Sequence, residues 1–470
     1  MLFNSIYFLF LFVPVFFTVY FLLPDKYKNP FTLAASILFY AWGAPTFVFI
    51  LGTAVIADFF LAQQIHRSTG NARKWWLAFA LTINTSILLY FKYANFFVDN
   101  FCALFGCEGQ HLAQVLLPIG ISFFTFHEVS YLVDVYRQTK TPFKSVVNYA
   151  LYIFLFPQLI AGPIIRFHEI ADQIENRKFN GTPDNKLLGF FRFTMGLGKK
   201  VLIADVLGVY VTNVFTHIGA GPDVGSLWLG AVMNLIHFYI DFSAYSDMAI
   251  GLALVMGFRF PENFNYPFTA QSLTDYWQRW HMSLYRWMRE YLYIPLGGSK
   301  HGEARTAFNI FFVFLFSGFW HGASWNFVLW GAGHGLVVMS ERYVTGNLLE
   351  RLNKYVRVVY TFLIMTLLLV VFRTDTIHDA GNYLKLMFTG RGSANYMFLS
   401  LKQQVVLVLA LLISFGGLNT RLQQWANKLY VPFGSDMQYN VGVLVAFIII
   451  IISASMLVVT GYNPFLYFKF

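Results

Sequence analysis

Charge is scarce in this sequence. Only 12% of its residues are Asp, Glu, Lys or Arg, against about 25% in an ordinary soluble domain. That shortage excludes a water-soluble globular chain. Cysteine is almost absent as well: Cys102 and Cys107 are the two, and they fall in one short stretch. Two thiols cannot build a disulfide framework, and no Cys/His cluster with metal-ligand spacing accompanies them, so no metal site is expected. A disulfide between them and a pair of unpaired thiols both fit the spacing. The sequence has no Walker-type phosphate loop. It also has no internal repeat and no Pro/Ser-rich linker, which leaves one domain over residues 1–470.

What is there is apolar. Hydrophobic residues make up 57% of the chain and aromatic residues 20%, and the mean hydropathy is +0.55. The fold class expected is an all-α integral membrane protein with many passes. The net charge of +10 then reports positive loops on the cytoplasmic side and contact with anionic lipid. Nucleic acid is not an expected partner, because there is no soluble basic domain to hold it.

The apolar run from Phe3 to Leu23 covers about 30 Å at about 1.5 Å per residue, one bilayer core. It lacks a basic start and a small-residue cleavage site, so a span is expected rather than a cleaved leader. A short basic loop follows from Pro24 to Pro30. Phe31 to Leu61 is broken at Gly43-Ala44-Pro45, and Trp75 to Phe97 and Val115 to Val135 are further spans. Tyr149 to Ile165 contains Pro157, Gln158, Gly162 and Pro163, a pattern that suits a re-entrant segment. Later spans are expected at 201–215, 228–258, 308–340, 358–372, 405–415 and 441–459. Basic loops at 24–30, 66–74, 137–144 and 259–305 alternate with Lys/Arg-free loops near 96–114 and 216–227. That alternation predicts an N-terminus outside and the 259–305 region in the cytoplasm.

Two stretches carry candidate chemistry. In Phe314 to Gly335 an apolar run holds His321, Ser324, Asn326 and His334, groups that need protein partners or a water-filled cavity at membrane depth. Gly318 and Gly322, and again Gly331 and Gly335, are spaced to let another helix approach closely. A buried neutral imidazole at His321 can take a proton from a hydroxyl while a thioester carbonyl is attacked. Ser324 and Asn326 are candidates to orient it or to donate to an oxyanion. A purely structural histidine is the competing reading. In Ser272 to Lys300, Ser272 and Asp275 have capping-box spacing. Trp277, Trp280, Leu284, Trp287 and Tyr291 form one apolar helical face, and Asp275–Arg279 and Arg286–Glu290 are i,i+4 pairs. This predicts an amphipathic helix on the cytoplasmic membrane surface. It is either a lipid anchor or a docking surface on which Arg279, Arg286 and Arg289 meet the phosphates of an anionic donor. Asp241 to Asp247 places two carboxylates in a span, where they either serve an ion pathway or cap a packed helix.

Five stretches together resemble the membrane-bound O-acyltransferase (MBOAT) family, in its bacterial AlgI-like and DltB-like branch. They are residues 117–126 (LPIGISFFTF), 156–164 (FPQLIAGPI), 241–247 (DFSAYSD), 280–284 (WHMSL) leading to 293–299 (YIPLGGS), and 319–325 (FWHGASW). The order and spread of these motifs cover nearly the whole chain, with N-terminal helices at 1–110, a motif-bearing core at 111–340 and C-terminal helices at 341–470. The resemblance implies a many-helix membrane fold with re-entrant segments and a central tunnel. It implies that His321 is the catalytic histidine and His281 a second, cytoplasmic-side histidine. It further implies acetyl transfer in the bacterial cytoplasmic membrane from a cytoplasmic donor to an extracytoplasmic polysaccharide, completed by a separate extracytoplasmic acetyltransferase. Acetyl-CoA is the implied donor substrate, with no permanently bound cofactor. D-alanyl transfer to teichoic acid, a transporter or flippase, and a non-catalytic scaffold are the alternatives. Release of CoA separates an enzyme from the last two.

Overall fold

A computed structural model describes residues 1–106, 115–390, 397–432, 434–461 and 463–466. Cys107 and residues 467–470 lie outside the described residues, and with Cys107 goes the question of its pairing. The described residues contain helices and turns and no strand. Among the described residues, six helices are long and apolar enough to cross a membrane: Phe47–Arg67, Gly70–Phe105, Val224–Val255, Lys354–Arg373, Leu401–Leu418 and Asp436–Thr460. The chain divides into two compact units, Met1–Phe193 with Met248–Pro261, and Thr194–Asp247 with Glu262–Phe470.

In the first unit, α1 (Val13–Leu22) continues a π-helical turn at Phe8–Phe12. Phe8, Phe12, Phe16 and Tyr20 recur every four residues and stack with centroids 5.5, 5.9 and 5.7 Å apart. α2 (Asp25–Ala41) begins inside the stretch expected as a loop, because Asp25 in its first turn pairs with Lys28 at 2.8 Å and favours the helix N-terminus. The break at Gly43-Ala44-Pro45 is where expected, and α3 (Phe47–Arg67) follows. α4 (Gly70–Leu88) and α5 (Ala94–Phe105) are joined by a π-helical turn, and Cys102 lies within α5.

The Val115–Val135 span is shorter than expected: α6 (Ile121–Tyr136) starts only after Gly120. Gly120 has φ +83, and a Cβ there would come 2.6 Å from the Leu159 carbonyl oxygen, so the turn needs glycine. Leu159 belongs to the proline-interrupted segment. That segment is a short α7 (Val146–Phe154), one turn of α8 (Phe156–Leu159), and irregular chain to Arg166. Protein side chains satisfy its freed backbone groups, as burial requires. The Phe156 N–H donates to Ser36 Oγ (3.2 Å), Gln158 donates to the Tyr152 carbonyl, and Tyr152 OH donates to the Ile165 carbonyl (2.9 Å). Phe156 also wedges edge-on into the phenylalanine stack, 5.4 Å from Phe12 and 5.2 Å from Phe16. α9 (Phe167–Glu175) and α10 (Pro183–Gly198) complete this part of the chain.

The second unit contains α11 (Asp205–Thr216) and most of the 32-residue α12 (Val224–Val255). Lys200 pairs with Asp241 of α12 at 2.7 Å and with Asp205 at 2.8 Å, and Lys199 pairs with Asp247 at 2.7 Å. The Leu466 N–H also donates to Asp241. The two carboxylates in this span are therefore tied into packing, which selects the helix-packing reading over an ion pathway. α13 (Leu273–Arg279) and α14 (Met282–Met288) precede an antiparallel hairpin of α15 (Glu303–His321) and α16 (Trp325–Ser340). The remaining helices are α17 (Gly346–Arg351), α18 (Lys354–Arg373), α19 (Ile377–Thr389), α20 (Leu401–Phe415), α21 (Thr420–Asn427) and α22 (Asp436–Thr460). α20 and α22 keep rows of exposed apolar residues, such as Val408, Leu412, Leu444 and Ile451. In water such rows are costly, whereas in lipid they are solvated. The protein is a multi-pass membrane protein.

Candidate active site

The α15–α16 hairpin is closed by glycine. A Cβ on Gly318 would collide with the Phe327 carbonyl oxygen and stand 2.9 Å from the Gly331 Cα, and one on Gly331 would come 2.5 Å from the Phe314 carbonyl oxygen. This is the close helix approach expected of the glycine pairs. α15 ends at His321 because Gly322 turns to extended backbone, and α16 restarts after Ser324. His321 is thus the last residue of a helix, 8% exposed, and its ring meets Trp330 edge-on at 5.2 Å and Phe372 at 5.5 Å. Asn326 points elsewhere. Its Nδ2 donates to the Thr374 carbonyl (2.6 Å) and its Oγ1 (3.3 Å), so it ties the start of α16 to the end of α18 rather than supplying an oxyanion donor.

The Ser272–Lys300 stretch is helical, but not as one helix. Ser272 Oγ does accept from the Asp275 N–H (3.0 Å), and Asp275 does pair with Arg279 (2.6 Å). The helix then stops at Trp280, and His281 takes a left-handed φ of +44, a conformation that costs a non-glycine residue about 1–3 kcal/mol. A loop bridges the break: the Met282 N–H donates to the Asn263 carbonyl, and the Asn265 N–H donates to the Arg279 carbonyl, both at 2.9 Å. The tryptophan face does not lie on lipid. Trp277, Trp280 and Trp287 are buried, and Trp280 packs against Phe238 (5.7 Å), Phe264 (5.0 Å) and Tyr276 (5.5 Å).

His281 is 2% exposed. Its Nδ1 lies 3.0 Å from Asn263 Oδ1, which also accepts from Ser283 Oγ (2.8 Å), while Asn263 Nδ2 donates to Ser246 Oγ (3.0 Å). The amide is thereby oriented with its oxygen toward the imidazole. Nδ1 must carry the proton, and Nε2 is left as the basic atom. Burial pushes the His281 imidazole down to about 3, so the ring is neutral at ordinary pH.

Two cavities meet at this residue. A small one of about 20 Å³ is lined by both His281 and His321, with Tyr276, Trp277, Trp280, Trp330 and Phe372 among its walls. A larger one of about 520 Å³ is lined by His281, Trp277, Tyr285, Arg289, Tyr293, Ser317, Glu341, Arg342, Glu350 and Arg357, within the usual range of about 300–1,000 Å³ for small-molecule sites. Of the three arginines singled out in the sequence, Arg289 lines this cavity. Arg279 is held by Asp275, Arg286 donates to the Met282 and Glu262 carbonyls, and neither is among the lining residues. Trp277 packs against His334 (5.0 Å), which is fully buried and also lies 4.6 Å from Trp330. Among the described residues, neither His334 nitrogen has a hydrogen-bond partner, nor do Trp277 Nε1, Trp330 Nε1 and Tyr276 OH.

Of the residues singled out in the sequence, His281, His321 and Arg289 lie on cavity walls; Arg342 and Arg357 on the larger cavity and Asn263 beside His281 were not singled out. Asn263 sits in an ordinary Pro-Glu-Asn-Phe-Asn loop, and nothing local ties it to an imidazole 18 residues on. Glu341 was missed too. Its carboxylate accepts from the Leu273 (2.8 Å) and Thr274 (3.3 Å) N–H groups, so it caps α13 at the cavity wall.

The family model for MBOAT, membrane-bound O-acyltransferase family, matches residues 109–372. The chain is 38% identical to the probable alginate O-acetylase AlgI of Pseudomonas putida, over 100% of both chains. It is 36% identical to the peptidoglycan O-acetyltransferase of Helicobacter pylori, over 82% of this chain and 80% of that protein. Its identity to the teichoic acid D-alanyltransferase of Bacillus subtilis is 26%, over 50% of this chain and 60% of that one. The chain belongs to the membrane-bound O-acyltransferase family and is an acyltransferase.

Proposed function

We propose that this acyltransferase takes an acetyl group from acetyl-CoA on the cytoplasmic side and passes it across the membrane for O-acetylation of an extracytoplasmic polysaccharide, an exopolysaccharide or cell-wall glycan. The names of the relatives that align over most of the chain support acetyl over D-alanyl transfer, because the D-alanyltransferase aligns over only half of it. In this reading the protein sits in the bacterial cytoplasmic membrane with its N-terminus outside, and a separate extracytoplasmic acetyltransferase completes delivery to the glycan.

The observation that carries the mechanism is the shared wall. His281 lines both the 520 Å³ cavity and the small cavity that reaches His321. The large cavity receives the thioester arm, with Arg289, Arg342 and Arg357 available to the donor's phosphates. Arg279 and Arg286 serve the fold of this platform instead. At the inner end, neutral His321 accepts the proton of the attacking hydroxyl as its oxygen bonds to the acetyl carbonyl carbon. The C–S bond then breaks, and the proton passes to the departing thiolate, so CoA leaves as the thiol and no net proton is consumed. His281, with Nε2 basic and Nδ1 fixed by Asn263, positions the donor and relays that proton.

The test is made in cells lacking the gene and carrying wild-type protein or His321→Ala at equal expression. Ester-linked acetyl is measured in exopolysaccharide and wall fractions. The proposal expects one fraction to lose acetyl both in the deletion and with His321→Ala. Restoration by His321→Ala would leave a scaffold or transport role instead.

A further inference from the structure

The first unit holds a second polar cavity that acyl transfer does not use. It measures about 290 Å³ and is formed where the end of α1, the start of α2, the chain after α9 and the Val255–Met256 turn come together. Four cations line it, Lys28, Arg177, Lys178 and Lys186, against two carboxylates, Asp25 and Glu175, a net charge of +2. Asp25 already serves two of the lysines, Lys28 at 2.8 Å and Lys178 at 3.6 Å. Lys186 rests over the Phe21 ring at 4.9 Å.

Arg177 is the centre of the site. Its guanidinium donates to Asn29 Oδ1 (2.5 Å), Tyr20 OH (3.1 Å) and the Met256 carbonyl (3.2 Å), and the Phe258 ring lies 4.5 Å from its central carbon. All these partners are neutral. Its Nη2 is buried without a hydrogen-bond partner, and among the described residues no carboxylate pairs with it. Arg177 is half-buried and all its partners are neutral, so an anion seated in the cavity would supply the counter-charge and a partner for Nη2. Next in sequence to the lining residues Phe21 and Lys178 are two large apolar side chains that water would not favour, Leu22 at 79% and Phe179 at 85% exposure. A basic pocket at the end of an apolar helix, near exposed apolar residues, has the chemistry that suits lipid phosphates.

We propose that this cavity binds the phosphate headgroup of an anionic phospholipid, with the acyl chains along the Leu22 and Phe179 side. The site is independent of the reading of acyl transfer given above. Full-length protein in nonionic detergent, stripped of lipid, is titrated with phosphatidylglycerol, phosphatidylethanolamine or inorganic phosphate, and binding is followed by native mass spectrometry and melting temperature. Wild type is expected to prefer phosphatidylglycerol. The Lys178→Gln/Lys186→Gln pair, which touches exposed and half-buried charges only, is expected to weaken that binding about 10- to 30-fold. Arg177→Gln should weaken it further; if that variant melts, the lysine pair decides. An Arg67→Gln/Lys74→Gln control removes the same charge from exposed positions at the end of α3 and in the first turns of α4 and should leave binding unchanged. Equal weakening by both pairs would mean diffuse attraction and would overturn the site. Equal binding of phosphatidylethanolamine, or saturation by inorganic phosphate with no gain from lipid, would overturn the lipid assignment.

Discussion

Two regions of the second unit bury polar groups in an apolar setting, and they do it in opposite ways. Around α12, Lys200 meets Asp241 and Asp205, and Lys199 meets Asp247, each within 2.8 Å. Every charge there faces its opposite, and the cluster is closed. Around the α15–α16 hairpin, both His334 nitrogens, Trp277 Nε1, Trp330 Nε1 and Tyr276 OH have no partner among the described residues. Leaving such a group unsatisfied costs about 1–3 kcal/mol; Trp277, Trp330 and Tyr276 border the cavities lined by His281 and His321, and His334 packs against Trp277 and Trp330. The closed cluster holds helices together. The open one leaves hydrogen-bonding capacity unused beside the cavities.

Mutations can break this contrast from either side. The largest effect is expected from His321→Ala, which should lower acetyl turnover about 100- to 10,000-fold while the melting temperature in detergent stays near wild type. Lys200→Met should do the reverse. It strands Asp241 and Asp205 without their cation, costing about 3–5 kcal/mol of stability, read as a lower melting temperature with unchanged turnover per folded molecule.

Asn263→Ala sharpens the comparison further. Without the Asn263 oxygen the His281 tautomer is no longer fixed, and kcat should fall about 10- to 100-fold with KM little changed. Asn263→Asp still accepts from Nδ1–H and should recover much of the rate, which a purely structural role for Asn263 would not produce. Gly331→Ala should cost about 1–3 kcal/mol by parting the hairpin, visible in melting and, through displaced His321, in rate. The smallest effect concerns pH. Burial lowers the His281 pKa to about 3, so the ring gains a proton only below that value. A pH–rate profile between 5 and 8 should show no inflection that disappears in His281→Gln.

Much of the helical framework was legible in the sequence. Hydropathy placed most of the long helices and the Gly43-Ala44-Pro45 break, because these follow from local composition and from backbone limits on Gly and Pro; the span expected at 308–340 is instead two helices that meet at Gly322–Ser324. Ser272 as a cap and the Asp275–Arg279 pair were legible for the same reason. The interruption at His281 was not. Residues 272–293 have the periodicity of one amphipathic helix, and the helix breaks because a loop distant in sequence takes the Met282 N–H and the Arg279 carbonyl. That tertiary pairing also moved the tryptophan face from the expected lipid surface into the protein. Arg279 and Arg286 share a face only if the helix is continuous, and the break at His281 separates them. Arg342 and Arg357 join the cavity wall only through folding, so no local pattern marks them.

The most direct test of the account is release of free CoA thiol from acetyl-CoA by purified protein supplied with its acceptor, compared between wild type, His321→Ala and Lys200→Met, each normalised to folded protein. The account predicts turnover by wild type and Lys200→Met and a loss of at least about 100-fold in His321→Ala at an unchanged melting temperature. Full thiol release by folded His321→Ala, or loss of release in all variants only in step with melting, would contradict it.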